Sequence, residues 1–159
     1  MKTIQVSSFG APEVLRLTEL PDAAPGPGEV AVDVTHAAVG LIDVFIRQGL
    51  YRDRPGLPQS RYVPGLEVAG TVRALGEGAA GFEVGEPVVT LSANSGTGGY
   101  AAIFISDAAY VASMKDASLD PALAVAVVPN GATALPRADP DRTHAGCSRL
   151  LGGVLPAGP

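Results

Sequence analysis

Residues 29–34 read Glu-Val-Ala-Val-Asp-Val, and this alternation of apolar and other residues predicts a half-buried β-strand. Its three valines are expected to face the core, and the remaining three residues to lie on the opposite face. Similar short apolar runs, separated by Gly and Pro, continue from Met1 to about Ala134. The pattern therefore predicts a mainly β (α+β) fold.

Other segments with strand character lie on both sides of this stretch, at residues 3–6, 14–20, 66–75, 87–91, 100–105 and 110–113. Residues 3–6 and 14–20 are expected to pair, because the prolines and glycines at 21–28 continue neither strand. Two short helices are also predicted. One covers Leu41–Gln48 and ends at Gly49, and the other covers Leu119–Val128 with Ser118 as its N-cap.

Two glycine clusters raise the question of a nucleotide site. Gly76–Gly81 fits the string G-x-G-x-x-G, but a helix must follow that motif, and here Gly85 and Pro87 interrupt the next residues. A plain turn between strands is predicted instead. Gly96–Gly99 lacks the Lys and Ser/Thr of a phosphate-binding loop, which favours a flexible loop.

Composition restricts the partners of the chain. The formal net charge is -5, aromatic residues make up 5%, and Trp is absent. Nucleic acid and anionic membrane surfaces are therefore disfavoured, because both attract basic proteins and single strands also need stacking aromatics. The sequence shows neither a signal-like segment nor an apolar run of about 18 residues, so we predict a cytoplasmic protein with no membrane contact.

Metal binding and nucleophilic catalysis find little support. The soft ligands are His36, His144 and Cys147, and His36 is far from the other two in sequence. No G-x-S-x-G elbow occurs, and nothing nearby activates Cys147. No metal site and no catalytic side chain are predicted.

Eight sequence blocks point to a family when they are taken in order. They are Phe9–Leu15, Pro25–Val30, Ile42–Tyr51, Val63–Gly70, Val72–Gly76, Gly81–Val88, Gly98–Ala101 and Pro129–Ala134. Together they resemble the start of the quinone oxidoreductase (zeta-crystallin-like) branch of the medium-chain dehydrogenases/reductases. The resemblance covers residues 1–134.

This resemblance implies a GroES-like β-barrel domain with short helices over 1–134. In the family such a domain packs against a Rossmann domain, with NADPH and substrate between them. The implied chemistry is zinc-independent hydride transfer from NADPH to a quinone or enone. Zinc-binding relatives carry Gly-His-Glu where this chain has Gly65-Leu66-Glu67.

The resemblance also implies a set of cofactor-binding residues. Asp43, Phe45, Arg47 and Tyr51 would edge the cleft, and Thr133 would lie beside the nicotinamide. Each has a simpler interpretation. Asp43 and Arg47, four residues apart, could pair on the helix surface, and Tyr51 could be a tyrosine at the core edge.

One departure lies at the cleft, where Gly40-Leu41-Ile42-Asp43 is two residues shorter than the Gly-Leu-Asn-Phe-Ile-Asp of relatives. The lost Asn is the side chain that the family would use to hydrogen-bond cofactor or substrate. A lesser departure is Glu86-Pro87, where an Asp-Arg pair is usual.

Residues 135–159 differ from the rest, since more than half of them are Pro, Gly, Arg or Ala and no structural period runs through them. They are predicted to form a disordered tail, which either a frameshift or a selected interaction tail would explain. The tail lacks the glycine fingerprint of a cofactor domain. We therefore expect a truncated chain that is inactive alone.

The alternative function is a non-catalytic binding module that associates with itself or with a partner protein through the exposed cleft face. The helix predicted at 119–128 bears on this alternative. It would carry an apolar patch of Leu123, Val125, Val127 and Val128 on that face.

Overall fold

The computed structural model describes residues 1–58, 61–92, 97–115 and 119–127. The predictions made for Ser118, Val128, Thr133 and the tail 135–159 lie outside the described residues, as does the boundary at residue 134.

In these ranges the chain is built mainly of strands, joined by short turns. The strands are β1 (Lys2–Val6), β2 (Leu15–Glu19), β3 (Glu29–Ala37), β4 (Glu67–Leu75), β5 (Pro87–Leu91), β6 (Ile103–Asp107) and β7 (Val111–Ser113). Helix α1 covers Leu41–Arg47, single 3-10 turns lie at Pro12–Val14 and Ala108–Tyr110, and residues 121–127 are helical. The mainly β prediction and the first predicted helix are confirmed.

The strands form two antiparallel sheets. β1 pairs with β2, as predicted, and the other five strands follow the order β6-β3-β4-β5-β7. Isolated bridges from Thr3 to Ala101 and from Val6 to Tyr62 join the small sheet to the segments before β6 and β4. The two sheets therefore belong to one packed unit.

The larger sheet curls into a half-barrel. Two strands, β3 and β4, separate β5 from β6 in the sheet order, yet Thr90 Oγ1 of β5 lies 2.8 Å from Ser106 Oγ of β6. A flat sheet would keep these side chains about three strand spacings apart, or roughly 14 Å. The curl encloses a cluster of buried valines at positions 30, 32, 72, 88 and 111.

Strand β3 differs from its prediction at two residues, Ala31 and Val34. Val30 and Val32 are fully buried as expected, but Ala31, predicted on the opposite face, is fully buried too. Ala31 is flanked by Ala74 of β4 and Ile105 of β6, which leave little of its short side chain exposed. Val34, expected in the core, is only half-buried where the register of the strand shifts.

The end of β3 is displaced by a β-bulge, which matters for the site described below. The pairing register between β3 and β4 shifts between Val34 and His36. Gly70 makes the close approach possible, because a Cβ there would lie 2.0 Å from the carbonyl oxygen of Asp33. Bulges redirect side chains, and this one sets the directions of Thr35 and His36.

The turn predicted at Gly76–Gly81 is confirmed between β4 and β5, where no helix follows. Gly78 and Gly81 have φ values of 76° and 89°, which favour glycine.

The second helical segment starts later than predicted, at residue 121. Its N-cap is Asp120, whose Oδ1 accepts hydrogen bonds from the N–H groups of Ala122 (2.8 Å) and Leu123 (3.2 Å). Among the described helices, none has the length and apolar character needed to cross a membrane.

Candidate functional site

A groove of about 940 Å³ opens where four segments of the chain meet. These are the end of β3, the start of α1, the start of β4 and the helical segment 121–127. The lining residues are Thr35, His36, Ala37, Ala38, Val39, Gly40, Leu41, Ile42, Leu66, Glu67, Ala122, Val125 and Ala126. This volume suits an organic ligand of moderate size.

Glu67 is the buried carboxyl of an otherwise mainly aliphatic groove. It begins β4, and its side chain is only 7% exposed. Burial, and secondarily the negative charge of Asp43, raises the pKa of Glu67, against a lowering effect of its own backbone N–H. The groove therefore contains a carboxyl group that is held toward its protonated form.

His36 stands exposed in the same groove, with its ring direction set by Thr35. The Thr35 hydroxyl donates to the carbonyl oxygen of Ala69 (3.1 Å), so its single proton is used. His36 Nδ1, 3.0 Å from Thr35 Oγ1, must then be the donor of that pair. In neutral His36 this leaves Nε2 as a free acceptor.

Asp43 lies behind the groove wall, within α1. Its Oδ2 accepts a hydrogen bond from the N–H of Gly40 (2.8 Å), and its Oδ1 accepts one from the N–H of Gly65 (3.1 Å). This buried carboxylate thus joins the start of α1 to the segment leading into β4. It is not among the residues that line the groove.

Arg47 is also buried and holds the loop before the first 3-10 turn. Its Nη1 donates to the carbonyl oxygen of Gly10 (2.5 Å), and the N–H of Gly10 donates to the carbonyl oxygen of Arg47 (2.9 Å). The interpretation of Asp43 and Arg47 as a surface pair is wrong, because both are at least nine-tenths buried. The ion pairs of the described residues do not include one between them.

Phe45 and Tyr51 form an edge-to-face aromatic pair, with ring centroids 6.3 Å apart. The Arg54 guanidinium lies 5.0 Å from the centroid of the Tyr51 ring. Tyr51 is half-buried against the core cluster that contains Val6, as the core-edge interpretation expects. Neither aromatic residue lines the groove, and their cofactor role stays a prediction.

Two tyrosines complete a buried ionisable cluster, consisting of Asp43, Arg47, Tyr62, Glu67 and Tyr100. The hydroxyls of Tyr62 and Tyr100 are buried, and that of Tyr62 has no hydrogen-bond partner among the described residues. Burial, and then the charge of Asp43, raises the pKa of Tyr62 to about 12, with Arg47 acting in the opposite direction. Burial and the charge of Asp43 also raise the pKa of Tyr100, and hydrogen bonding to the Asp43 side chain adds to the rise.

Sequence patterns singled out neither Glu67 nor His36 as a functional residue. Glu67 was noted only within Gly65-Leu66-Glu67, where zinc-binding relatives carry Gly-His-Glu. A lone carboxylate before the apolar residues Val68 and Ala69 was the available signal, since a charge at the start of a buried strand needs a reason.

The part of the chain that the structure describes contains no cluster of three or more His, Cys, Asp or Glu side chains that could hold a metal ion.

Comparison with known families matches residues 26–116 to the family described as alcohol dehydrogenase GroES-like domain. The predicted GroES-like fold is thereby confirmed.

Curated proteins that are similar in sequence include quinone oxidoreductases. The quinone oxidoreductase of Lama guanicoe is 42% identical over 102 residues, which are 64% of this chain and 29% of the relative. That of Sus scrofa is 38% identical over 118 residues, 72% of this chain and 34% of the relative. The chain thus spans about a third of the length of these relatives.

Solved structures with a similar fold include a quinone oxidoreductase. Escherichia coli quinone oxidoreductase complexed with NADPH superposes with a TM-score of 0.76 at 30% identity, over 87% of this chain and 40% of that one. The human synaptic vesicle membrane protein VAT-1 homolog-like protein gives a TM-score of 0.78 at 27% identity, over 86% and 42%.

Proposed function

The chain belongs to the alcohol dehydrogenase GroES-like domain family, and from this premise we propose that its groove binds the electron acceptor of an NADPH-dependent quinone oxidoreductase. The similarity to quinone oxidoreductases supports this choice. The observation that carries it is the groove itself, which combines aliphatic walls with one buried carboxyl. A planar, weakly polar quinone or enone suits such a lining.

The groove residues fit one end of NADPH better than the other. Val39, Leu41, Ile42 and Val125 offer aliphatic surface to a planar ring, whereas the described residues of the groove lining include no Lys or Arg for the phosphates. When bound, the reduced nicotinamide supplies the hydride. The residues of this chain position the acceptor and exclude water, and we expect weak dinucleotide binding by the groove alone.

Zinc-independent chemistry is part of the proposal. Leu66, which stands where zinc-binding relatives carry His, contributes an aliphatic side chain to the groove wall. A quinone can accept a hydride without a Lewis acid, so this substitution suits the proposed reaction.

The proposed functional unit is residues 1–134, and 135–159 remain a separate tail in this proposal. The family match at 26–116 lies inside that unit. Asp43, Phe45, Arg47, Tyr51 and Thr133 stay predicted cofactor-binding residues, and the cytoplasmic location stays a prediction.

A second candidate function is the binding module, and exposed apolar residues favour it. Val39, Leu41 and Leu123 are 78%, 66% and 51% exposed and, with Val127 (37% exposed), form what we call the apolar rim. Val125, predicted in this patch, is instead buried in the core cluster that contains Ala69 and Val89. A partner protein or a second copy could cover the rim.

Titration of the ¹⁵N-labelled full chain with 1,4-naphthoquinone tests the proposal. We expect amide shifts concentrated at the groove residues. Ala122→Trp should abolish them by filling the groove, whereas Ala109→Trp, at an exposed alanine away from the groove lining, should not. Scattered or absent shifts would count against acceptor binding and favour the binding module.

The redox step is measured separately, by following NADPH binding and NADPH oxidation in the presence of the quinone. Quinone binding without NADPH oxidation would mean that the chain binds the acceptor but does not hold NADPH, whose phosphates find no cationic partner in the described groove lining. Saturable NADPH binding with turnover would show that the chain is active alone, contrary to our expectation.

A further inference from the structure

Reduction of a quinone needs a proton donor as well as a hydride. A hydride brings two electrons and one proton, and the reduced oxygen must take up a second proton to give the hydroquinone. In a groove from which the ligand displaces water, a side chain has to supply that proton.

The described residues that line the groove include two titratable side chains, His36 and Glu67. They differ in burial and in hydrogen bonding. His36 is exposed to solvent, and its Nδ1 proton is directed at Thr35. Glu67 is buried in the groove wall, and the described residues offer its carboxyl no ion-pair partner.

We propose that Glu67 is the proton donor to the acceptor bound in the groove, an inference that rests on the proposed function. Protonated Glu67 first donates a hydrogen bond to one carbonyl oxygen of the quinone. This contact orients the acceptor, and the same proton later completes the reduction.

The surroundings of Glu67 favour its protonated form. Asp43 adds a negative charge from α1, while the guanidinium of Arg47 is engaged by the carbonyl oxygen of Gly10. The segment 121–127 contributes only Ala122, Val125 and Ala126 to the groove. Among the described residues, the other titratable groups near Glu67 are His36 on β3, which shares the groove lining, and Tyr100, whose pKa is raised in part by the charge of Glu67.

The step balances in atoms and electrons. The reduced nicotinamide dinucleotide of the proposed function would supply the hydride: its C–H bond breaks, a bond from that hydrogen to the quinone forms, and a negative charge is left on the quinone oxygen that faces Glu67. The O–H bond of Glu67 breaks, and a new O–H bond forms on that oxygen. Glu67 is left as a carboxylate, and it recovers a proton from solvent at the groove mouth, where His36 is exposed.

The experiment uses the full chain and 1,4-naphthoquinone, without NADPH. The dissociation constant is measured by NMR across the pH range in which the ¹³C signal of the Glu67 carboxyl titrates. We expect the constant to rise about tenfold as Glu67 ionises, because a hydrogen bond is lost and a buried carboxylate faces a carbonyl oxygen.

Linkage gives a second measurement on the unmodified chain. If the quinone binds the protonated form about tenfold more tightly, saturating naphthoquinone must raise the Glu67 titration midpoint by about one pH unit. This readout needs no variant and holds even if substitutions at Glu67 unfold the chain.

Glu67→Gln, which keeps a hydrogen-bond donor but cannot ionise, should bind naphthoquinone with little dependence on pH. Glu77→Gln changes an exposed glutamate outside the groove, and it should bind naphthoquinone as the unmodified chain does. Binding in the groove that is independent of pH, with an unmoved Glu67 midpoint, would overturn the inference and leave the proposed function standing. No binding in the groove at any pH would overturn the proposed function, and the inference with it.

Discussion

At the residue scale, the burial of Glu67 sets the sign of a pH effect on stability. Its pKa is raised in the folded chain, so the folded state holds this proton more tightly than the unfolded state does. Its contribution to stability is therefore present below the ordinary glutamate pKa and is lost as pH rises through the raised value.

We expect Glu67→Gln to lose less stability than the unmodified chain over that pH window, as measured by urea unfolding at a series of pH values. Glu77→Gln, at an exposed glutamate of the turn after β4, is the control because it removes a carboxyl without disturbing a buried contact. Superimposable pH curves for the unmodified chain and Glu67→Gln would show that burial of Glu67 carries no such cost.

Tyr62 provides the second residue-scale prediction. Its hydroxyl is buried without a partner in the described part of the chain, so Tyr62→Phe removes a desolvated polar group at little loss of packing. We expect the free energy of unfolding to stay level or rise by up to about 1 kcal/mol. The phenolate absorbance titration should also lose one group that ionises near pH 12.

Tyr110→Phe, at a tyrosine that is 46% exposed, is the matched control. A loss of more than about 1 kcal/mol in Tyr62→Phe, without a similar loss in Tyr110→Phe, would mean that the Tyr62 hydroxyl has a partner.

At the element scale, the helical segment 121–127 depends on its cap. Asp120 accepts two backbone N–H groups, so Asp120→Ala should reduce the free energy of unfolding by about 1 kcal/mol. Asp120→Asn keeps an acceptor oxygen and should retain most of the stability. Equal losses in both variants, in urea unfolding, would point to the charge rather than the cap.

The contact that closes the half-barrel can be tested in the same way. Thr90 Oγ1 bonds both Ser106 Oγ and the carbonyl oxygen of Tyr110 (3.0 Å). Thr90→Val keeps the shape but leaves these buried groups without that partner, and should cost about 1–3 kcal/mol in thermal or urea unfolding.

The control is Thr71→Val on β4, where the described structure shows no side-chain hydrogen bond to lose. A Thr90→Val variant as stable as Thr71→Val would show that the curl of the sheet does not depend on this contact.

At the scale of the whole molecule, the apolar rim predicts concentration-dependent association. We expect the full chain to form larger species at high concentration in light scattering or sedimentation, because the rim residues expose large aliphatic side chains. Leu41→Gln combined with Leu123→Gln should shift the chain toward monomer. Leu17→Gln, at a leucine of β2 that is 69% exposed, should not.

A chain that stays monomeric at high concentration would remove the self-association version of the binding module. It would leave acceptor binding in the groove untouched, because the quinone titration reports on that function separately.

The sequence by itself determined the local elements and the family. Alternation over 29–34, the paired strands β1 and β2, the turn at Gly76–Gly81 and helix α1 all follow from near-neighbour patterns. Such patterns can be recognised in the sequence because a period of two, a helical spacing or a Gly/Pro break involves only residues that are close in the chain. The ordered blocks of residues likewise sufficed for the GroES-like fold.

Only the tertiary structure decided the burial and meeting of distant residues. It moved Asp43 and Arg47 from an expected helix surface into the interior, and it brought Glu67 beside the bulged end of β3. It also joined Thr90 to Ser106 across the curl. The physical reason is that solvent exposure, pKa and hydrogen-bond partners depend on which distant segments pack together, and no short-range pattern in the chain encodes that.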